Sequence, residues 1–280
     1  IANGALLLSL VFLYKIARLD FKEKIADRSI ILLLVFPTAF FYNAVYADSL
    51  YLLLSLISFY AARKRNWFLA GVLGFFAGLT RLVGVVLAVA LLVEWYLQKK
   101  SKSQKLKIKN LLEDFIRERV FFIFLVPLGI VTYGLYLQFN FGDFFLFQKA
   151  MALWNQSQFV FPLQVVFRYL KILTTAAHNY IYSVAVVELV ATIAYFVLSV
   201  YVLRKVRTSY GIFMLLTLLI PTFTGTFQSM PRYILHLFPA FIALSLLTSR
   251  SKKIFWVTVI AFLALQGLFV ALFTRGYFIA

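Results

Sequence analysis

The chain has 280 residues, 63% hydrophobic and 19% aromatic but only 14% charged, with 28 Lys and Arg against 10 Asp and Glu. That excludes an ordinary water-soluble domain, which carries about a quarter charged residues, and it excludes disorder. The excess of +18 fits the cytoplasmic Lys/Arg bias of a polytopic membrane protein; a nucleic-acid binder would not carry this much Phe and Leu. With no Cys and two distant His, disulfides and metal clusters are not expected.

In chain order, residues 1–14 are apolar and followed by Lys15 and Arg18, the reverse of a signal peptide. They read as the tail of a membrane span in a fragment whose N-terminus is missing. Two apolar stretches, 29–62 and 66–98, exceed the roughly 20 residues of one span. Both are bounded on each side by basic clusters, so each reads as a hairpin, 29–45 with 47–62 and 67–80 with 82–98. Residues 120–138, 180–203, 210–226, 233–248 and 254–273 supply the remaining spans. The expectation is an all-α polytopic membrane protein of about ten transmembrane helices with short, re-entrant-like outer turns, in one domain over 1–280. The inner segments then hold 22 of the 28 Lys and Arg, as the positive-inside rule asks.

Two segments are expected to lie at the interfaces. The inner segment 101–119 carries Ile108, Leu111, Leu112 and Phe115 at helical spacing among lysines, an amphipathic helix on anionic lipid. The outer loop 139–179 carries Leu163, Val166, Phe167, Leu170, Leu173 and Ala177 at a period of 3.6, with Gln164, Arg168, Lys171, Thr175 and His178 on another face. It also contains the glycosylation sequon Asn155-Gln156-Ser157.

Ionisable groups at membrane depth are costly and usually functional. Asp48 lies in the turn Tyr46-Ala47-Asp48-Ser49, Arg81 follows Thr80 in the second turn, and Arg232 follows Pro231 in the third. His236, four residues after Arg232, shares its helix face, and Asp143 opens the outer loop. Acids and cations at one membrane surface suit a reaction on a phosphate-bearing lipid, because Arg offers planar donors to phosphate and a carboxylate can take a hydroxyl proton. The competing readings are helix caps for Asp48 and Asp143, snorkelling for Arg81 and Arg232, and structural roles for His236 and His178. Glu188 is expected to pair with a polar group, Glu94 to snorkel, and Tyr46, Trp154 and Tyr233 to sit in an aromatic belt or stack on a sugar.

The run Pro37, Phe40-Phe41 and Tyr46-Ala47-Asp48-Ser49-Leu50 resembles the PIG-V-type mannosyltransferases of the GT-C superfamily. Leu79-Thr80-Arg81-Leu82-Val83-Gly84, Phe141-Gly142-Asp143 with Trp154 and Pro162, and Pro231-Arg232-Tyr233 with Phe238-Pro239 resemble further segments of that family, in order along nearly the whole chain. The resemblance implies a GT-C-like fold and transfer of mannose from a polyprenyl-phosphate donor (dolichyl phosphate in eukaryotes and archaea) to a lipid or glycan acceptor at the outer or lumenal face; nothing visible in the sequence requires a metal or other cofactor, and the composition argues against nucleic acid. PIG-V itself acts in GPI anchor biosynthesis. The membrane would be the endoplasmic reticulum in a eukaryote and the plasma membrane in a prokaryote. Asp48 would be a supporting catalytic acid, with Tyr46, Arg81, Asp143, Trp154, Arg168, Lys171, Arg232 and His236 binding substrate. The family usually has Glu where Asp48 stands, and its principal base, an Asp in the first outer loop, would precede residue 1. Rival expectations are a GT-C enzyme for another sugar or a protein acceptor, a lipid-linked substrate flippase, and a membrane scaffold.

Overall fold

The computed structural model describes residues 1–101, 108–154, 156 and 159–279. Every regular element among them is helical. The order is α1 (Ala2–Arg18), α2 (Glu23–Leu34), α3 (Asp48–Arg63), α4 (Trp67–Thr80), α5 (Val86–Lys100), α6 (Ile108–Arg117), α7 (Leu125–Phe141), α8 (Leu146–Ala150), α9 (Pro162–Thr175), α10 (Tyr180–Lys205), α11 (Thr208–Thr222), α12 (Met230–Tyr233), α13 (Phe238–Thr248) and α14 (Lys252–Thr274). Tight 3-10 turns occupy Ala39–Asn43, Leu82–Val85, Val120–Phe124, Met151–Trp154 and Ile234–His236.

Among the described residues, four continuous helices are long and apolar enough to cross a membrane: Leu82–Lys100, Val120–Phe141, Tyr180–Lys205 and Lys252–Thr274. A fifth arises if Met230–His236 and Phe238–Thr248, bent by 86°, form one span. The expected ten are therefore not found. The reason is length: α2 has 12 residues, α4 14, α11 15 and α3 16. At about 1.5 Å per residue these fall short of a hydrocarbon core of roughly 30 Å. The expected arm 29–45 fails most plainly, because α2 stops at Leu34, ahead of Pro37, and the chain then turns through Ala39–Asn43.

Ion pairs gather the basic clusters at one end of the bundle. Arg63 at the end of α3 grips Asp20 after α1 through both terminal nitrogens, at 2.5 and 2.7 Å. Arg207, between α10 and α11, holds Glu94 of α5 through Nε and Nη2, both at 2.6 Å, and Ser209 adds a bond of 2.7 Å. Glu94 is fully buried, so it is a paired interior acid and does not snorkel. Lys99 reaches Asp114 and Glu118 at 2.7 and 2.8 Å, tethering α6, and Arg28 donates to the carbonyl of Thr248 at 3.1 Å. Of the expected amphipathic helix over 101–119, Ile108–Arg117 is helical with Leu112 and Ile116 exposed; residues 102–107 lie outside the described residues.

Helices α4 and α7 pack backbone on backbone. Gly71, Gly74 and Gly78 form a small-residue stripe facing α7 and the turn before it. A methyl group at Gly78 would sit 2.7 Å from the carbonyl of Val126, and one at Gly129 would strike the carbonyl of Phe75. Small residues allow such contact where lipid gives no hydrophobic drive between helices.

The outer-loop stripe forms α9, but it ends at Thr175, so Ala177 lies beyond it. Leu163, Phe167 and Leu170 are exposed on one face, while Val165 and Tyr169 are buried against the bundle.

Candidate functional site

Asp48 is the first residue of α3. Its side chain makes no helix cap; it is 0% exposed and points to three cationic or imidazole partners brought from distant parts of the chain. Arg81 Nη2 donates to Oδ1. Arg232 donates through Nε and Nη2 to Oδ2, at 3.1 and 2.9 Å. His236 Nε2 donates to Oδ1 at 2.8 Å. Two guanidinium groups around one buried carboxylate leave a local excess of positive charge.

Backbone geometry explains why these groups meet. Helix α4 ends at Thr80, and Arg81 adopts an extended conformation before the turn Leu82–Val85, which directs its side chain across to α3. On the other side, the turn at Ala39–Asn43 clamps the α12 region: Thr38 donates to the carbonyl of Pro231 at 2.8 Å and Tyr42 to that of Leu235 at 2.5 Å. These bonds hold the short Met230–His236 segment so that Arg232 and His236, one turn apart, face the same carboxylate.

Each arginine side chain is partly exposed and lines a cavity. Arg81 is 16% and Arg232 23% exposed. Arg232 lies 3.8 Å above the ring of Tyr46 and lines a cavity of about 560 Å³ with Phe41, Tyr46, Ser229, Phe273 and Tyr277. Arg81 lines a second cavity of about 250 Å³ with Leu82, Val83, Ile220, Pro221 and Thr224. Tyr233, Gln228, Met151 and Gln156 border both. Arg81 Nε is buried without a hydrogen-bond partner. Among the described residues, no carboxylate lines either cavity, and no group of three or more His, Asp or Glu is placed to hold a metal ion.

Of the residues singled out in the sequence, Asp48, Arg81, Arg232 and His236 meet, and Tyr46 lies beneath Arg232. His236 is buried behind Asp48 and lines neither cavity. The others stand apart. Asp143 pairs with Lys149 at 2.6 Å and accepts from the backbone of Phe145 at 3.0 Å, a local turn just before the five-residue α8, which has no side-chain cap. Lys149 holds the Asp143 carboxyl below its usual range. Arg168 donates to the carbonyl of Gly225 at 2.6 Å, and Lys171 is exposed on α9. Trp154 closes a 3-10 turn, but its side chain, like Asn155 and Ser157 of the sequon, lies outside the described residues. His178 packs edge-on against Tyr182. The segment before α9 reaches the cavities through Met151, which no sequence signal marked, and Gln156, marked only as the middle of the sequon.

Glu188 of α10 is buried and holds the wall of the site. It accepts from Tyr169 Oη at 2.6 Å and from the backbone of Ser229 at 3.3 Å. Burial and the neighbouring Glu188 raise the Tyr169 hydroxyl well above its usual range, so it stays protonated and donates.

Comparison of the chain with protein-family models, with characterised proteins and with solved structures finds no match.

Proposed function

We propose that the chain is a membrane glycosyltransferase that moves mannose from a polyprenyl-phosphate donor to a lipid or glycan hydroxyl at the outer or lumenal face, with a GT-C-like fold, in the endoplasmic reticulum or a prokaryotic plasma membrane. One observation carries this reading: two arginines are fixed on a single buried carboxylate, and each lines a cavity at the end of the bundle away from the basic clusters. The resemblance of the Asp48, Arg81 and Arg232 segments to PIG-V-type enzymes supports the same assignment.

In the proposed reaction the acceptor oxygen attacks the anomeric carbon as the bond from that carbon to the phosphate oxygen breaks, with inversion. The hydroxyl proton passes to a base, and the lipid phosphate leaves with the bonding electrons. Its growing charge needs cations held in place beforehand, since preorganised donors cost no reorganisation during reaction. Arg81 and Arg232 fill that role. Asp48 is better suited to anchoring than to proton transfer: its oxygens already accept four hydrogen bonds, and it has no exposed surface. The aromatic faces of Tyr46, Phe41 and Tyr233 offer stacking surfaces for a sugar ring.

The test is transfer from dolichyl phosphate mannose by the full-length protein reconstituted in lipid. Arg81→Ala and Arg232→Ala should each lower the rate by roughly 100-fold or more at normal expression. Unchanged rates in both variants would remove the assignment. A lipid flippase reading predicts instead movement of the donor between leaflets without release of lipid phosphate.

A further inference from the structure

The segment between α11 and α12 is the partition of the site, and it is held from outside. Thr224 and Gln228 line the smaller cavity, and Gln228 and Ser229 line the larger. The segment contains two left-handed residues, Gly225 at φ 90° and Ser229 at φ 65°. For Ser229 that conformation is strained and needs its surroundings to hold it.

The holding contacts come from α9 and α10. Arg168 binds the carbonyl of Gly225. Tyr169 Oη accepts from the backbone N–H of Phe227 at 3.1 Å, lies 3.1 Å from Thr226 Oγ1 and donates to Glu188. The second oxygen of Glu188 accepts the N–H of the strained Ser229. The carbonyl of Ser229 in turn accepts from the backbones of Arg232 and Tyr233, both at 3.0 Å. A continuous chain of hydrogen bonds therefore runs from Glu188 through Ser229 to the start of the helical turn that carries Arg232. Glu188 has no cationic partner among the described residues, so no ion pair accounts for a buried acid there.

We propose that Glu188 and Tyr169 are a positioning pair that holds segment 224–229 in place and, through Ser229, sets where Arg232 presents its guanidinium. The pair touches no cavity itself and acts through the backbone. The catalytic consequence rests on the transferase reading; the mechanical one does not.

The chain contains no Cys, so a single introduced thiol reports one position. In a Gln228→Cys background, reconstituted in lipid, the rate of labelling by a charged maleimide is measured with Tyr169→Phe, Glu188→Ala and Glu188→Gln added. An Asn140→Cys thiol, exposed on α7, serves as control. Tyr169→Phe and Glu188→Ala should raise labelling at position 228 roughly fivefold by local opening; Glu188→Gln, which keeps one of the two acceptors, should raise it less, and the control should not change. In the transfer assay the same two substitutions should lower kcat roughly tenfold with little change in KM for the donor, because misplacement of a fixed group affects the transition state. Unchanged labelling, a parallel rise at position 140, or unaltered kcat in a protein whose partition has loosened each overturns the positioning role. Absence of transfer in the parent protein sinks the transferase reading and leaves the labelling comparison to decide the pair by itself.

Discussion

Asp48 shows how much one side chain organises. A buried carboxylate with four donors loses heavily if deleted, because the guanidinium groups it holds remain in a poorly hydrated site. Asp48→Ala should destabilise the protein by about 3–5 kcal/mol, read from denaturant or thermal unfolding in detergent. The double change Asp48→Ala with Arg232→Ala should cost less than the sum of the two single changes, since removing a cation relieves the uncompensated charge. Additive losses would mean that the two groups are not paired. Asp143 behaves differently. Its pairing with Lys149 lowers the carboxyl pKa, so the pair contributes above the ordinary carboxylate pKa of about 4 and fades as pH falls through the lowered value. Both partners are well solvated, and Asp143→Asn should leave the unfolding temperature unchanged within error at neutral pH. The proximity of Asp48, Arg81 and Arg232 was legible in the sequence because each sits in a turn between apolar arms where charge is otherwise avoided. Met151, Gln156, Gln228 and Tyr169 were not legible. They are ordinary residues by type, and only long-range contacts bring them to the site.

At the scale of helices, the sequence marked α4 well: a stretch expected over 67–80 is a helix at Trp67–Thr80. The long spans α10 and α14 were equally visible, as apolar runs ending in or flanked by basic residues, broken in α10 by Glu188 alone. The break after α2 was not. What stabilises the turn at Ala39–Asn43 is a pair of bonds to the carbonyls of Pro231 and Leu235, nearly 200 positions away, which local periodicity cannot express. The glycine stripe of α4 gives a test at this scale. Gly129→Ala and Gly78→Ala place a methyl group against opposing backbone and should destabilise by roughly 1–3 kcal/mol. Gly267→Ala on α14 has open space around it and should be neutral or stabilising by up to about 1 kcal/mol. Equal effects at the three positions would show that α4 and α7 do not pack this closely.

For the whole molecule, charge parity overestimated the number of spans. Clusters near Lys15–Arg28, Arg63–Arg65, Lys99, Arg207 and Thr248 are tied together by ion pairs and hydrogen bonds at one end. Helix counting failed because short and bent helices can fill a bundle interior without each crossing a bilayer. Since the chain has no Cys, single thiols at exposed Lys64 and Lys205 should label only from the basic side, and those at Asn140 and Tyr277 only from the other. Label reaching all four from one side would undo the shared orientation of the clusters.

In the proposed function Arg81 and Arg232, anchored by Asp48, receive the phosphate of a polyprenyl-linked sugar. The most direct measurement is an experimental structure of the chain bound to polyprenyl phosphate. Phosphate oxygens should lie about 3 Å from both guanidinium groups, with Asp48 still between them. A phosphate seated instead at the basic end, or one that leaves both arginines untouched, would contradict it.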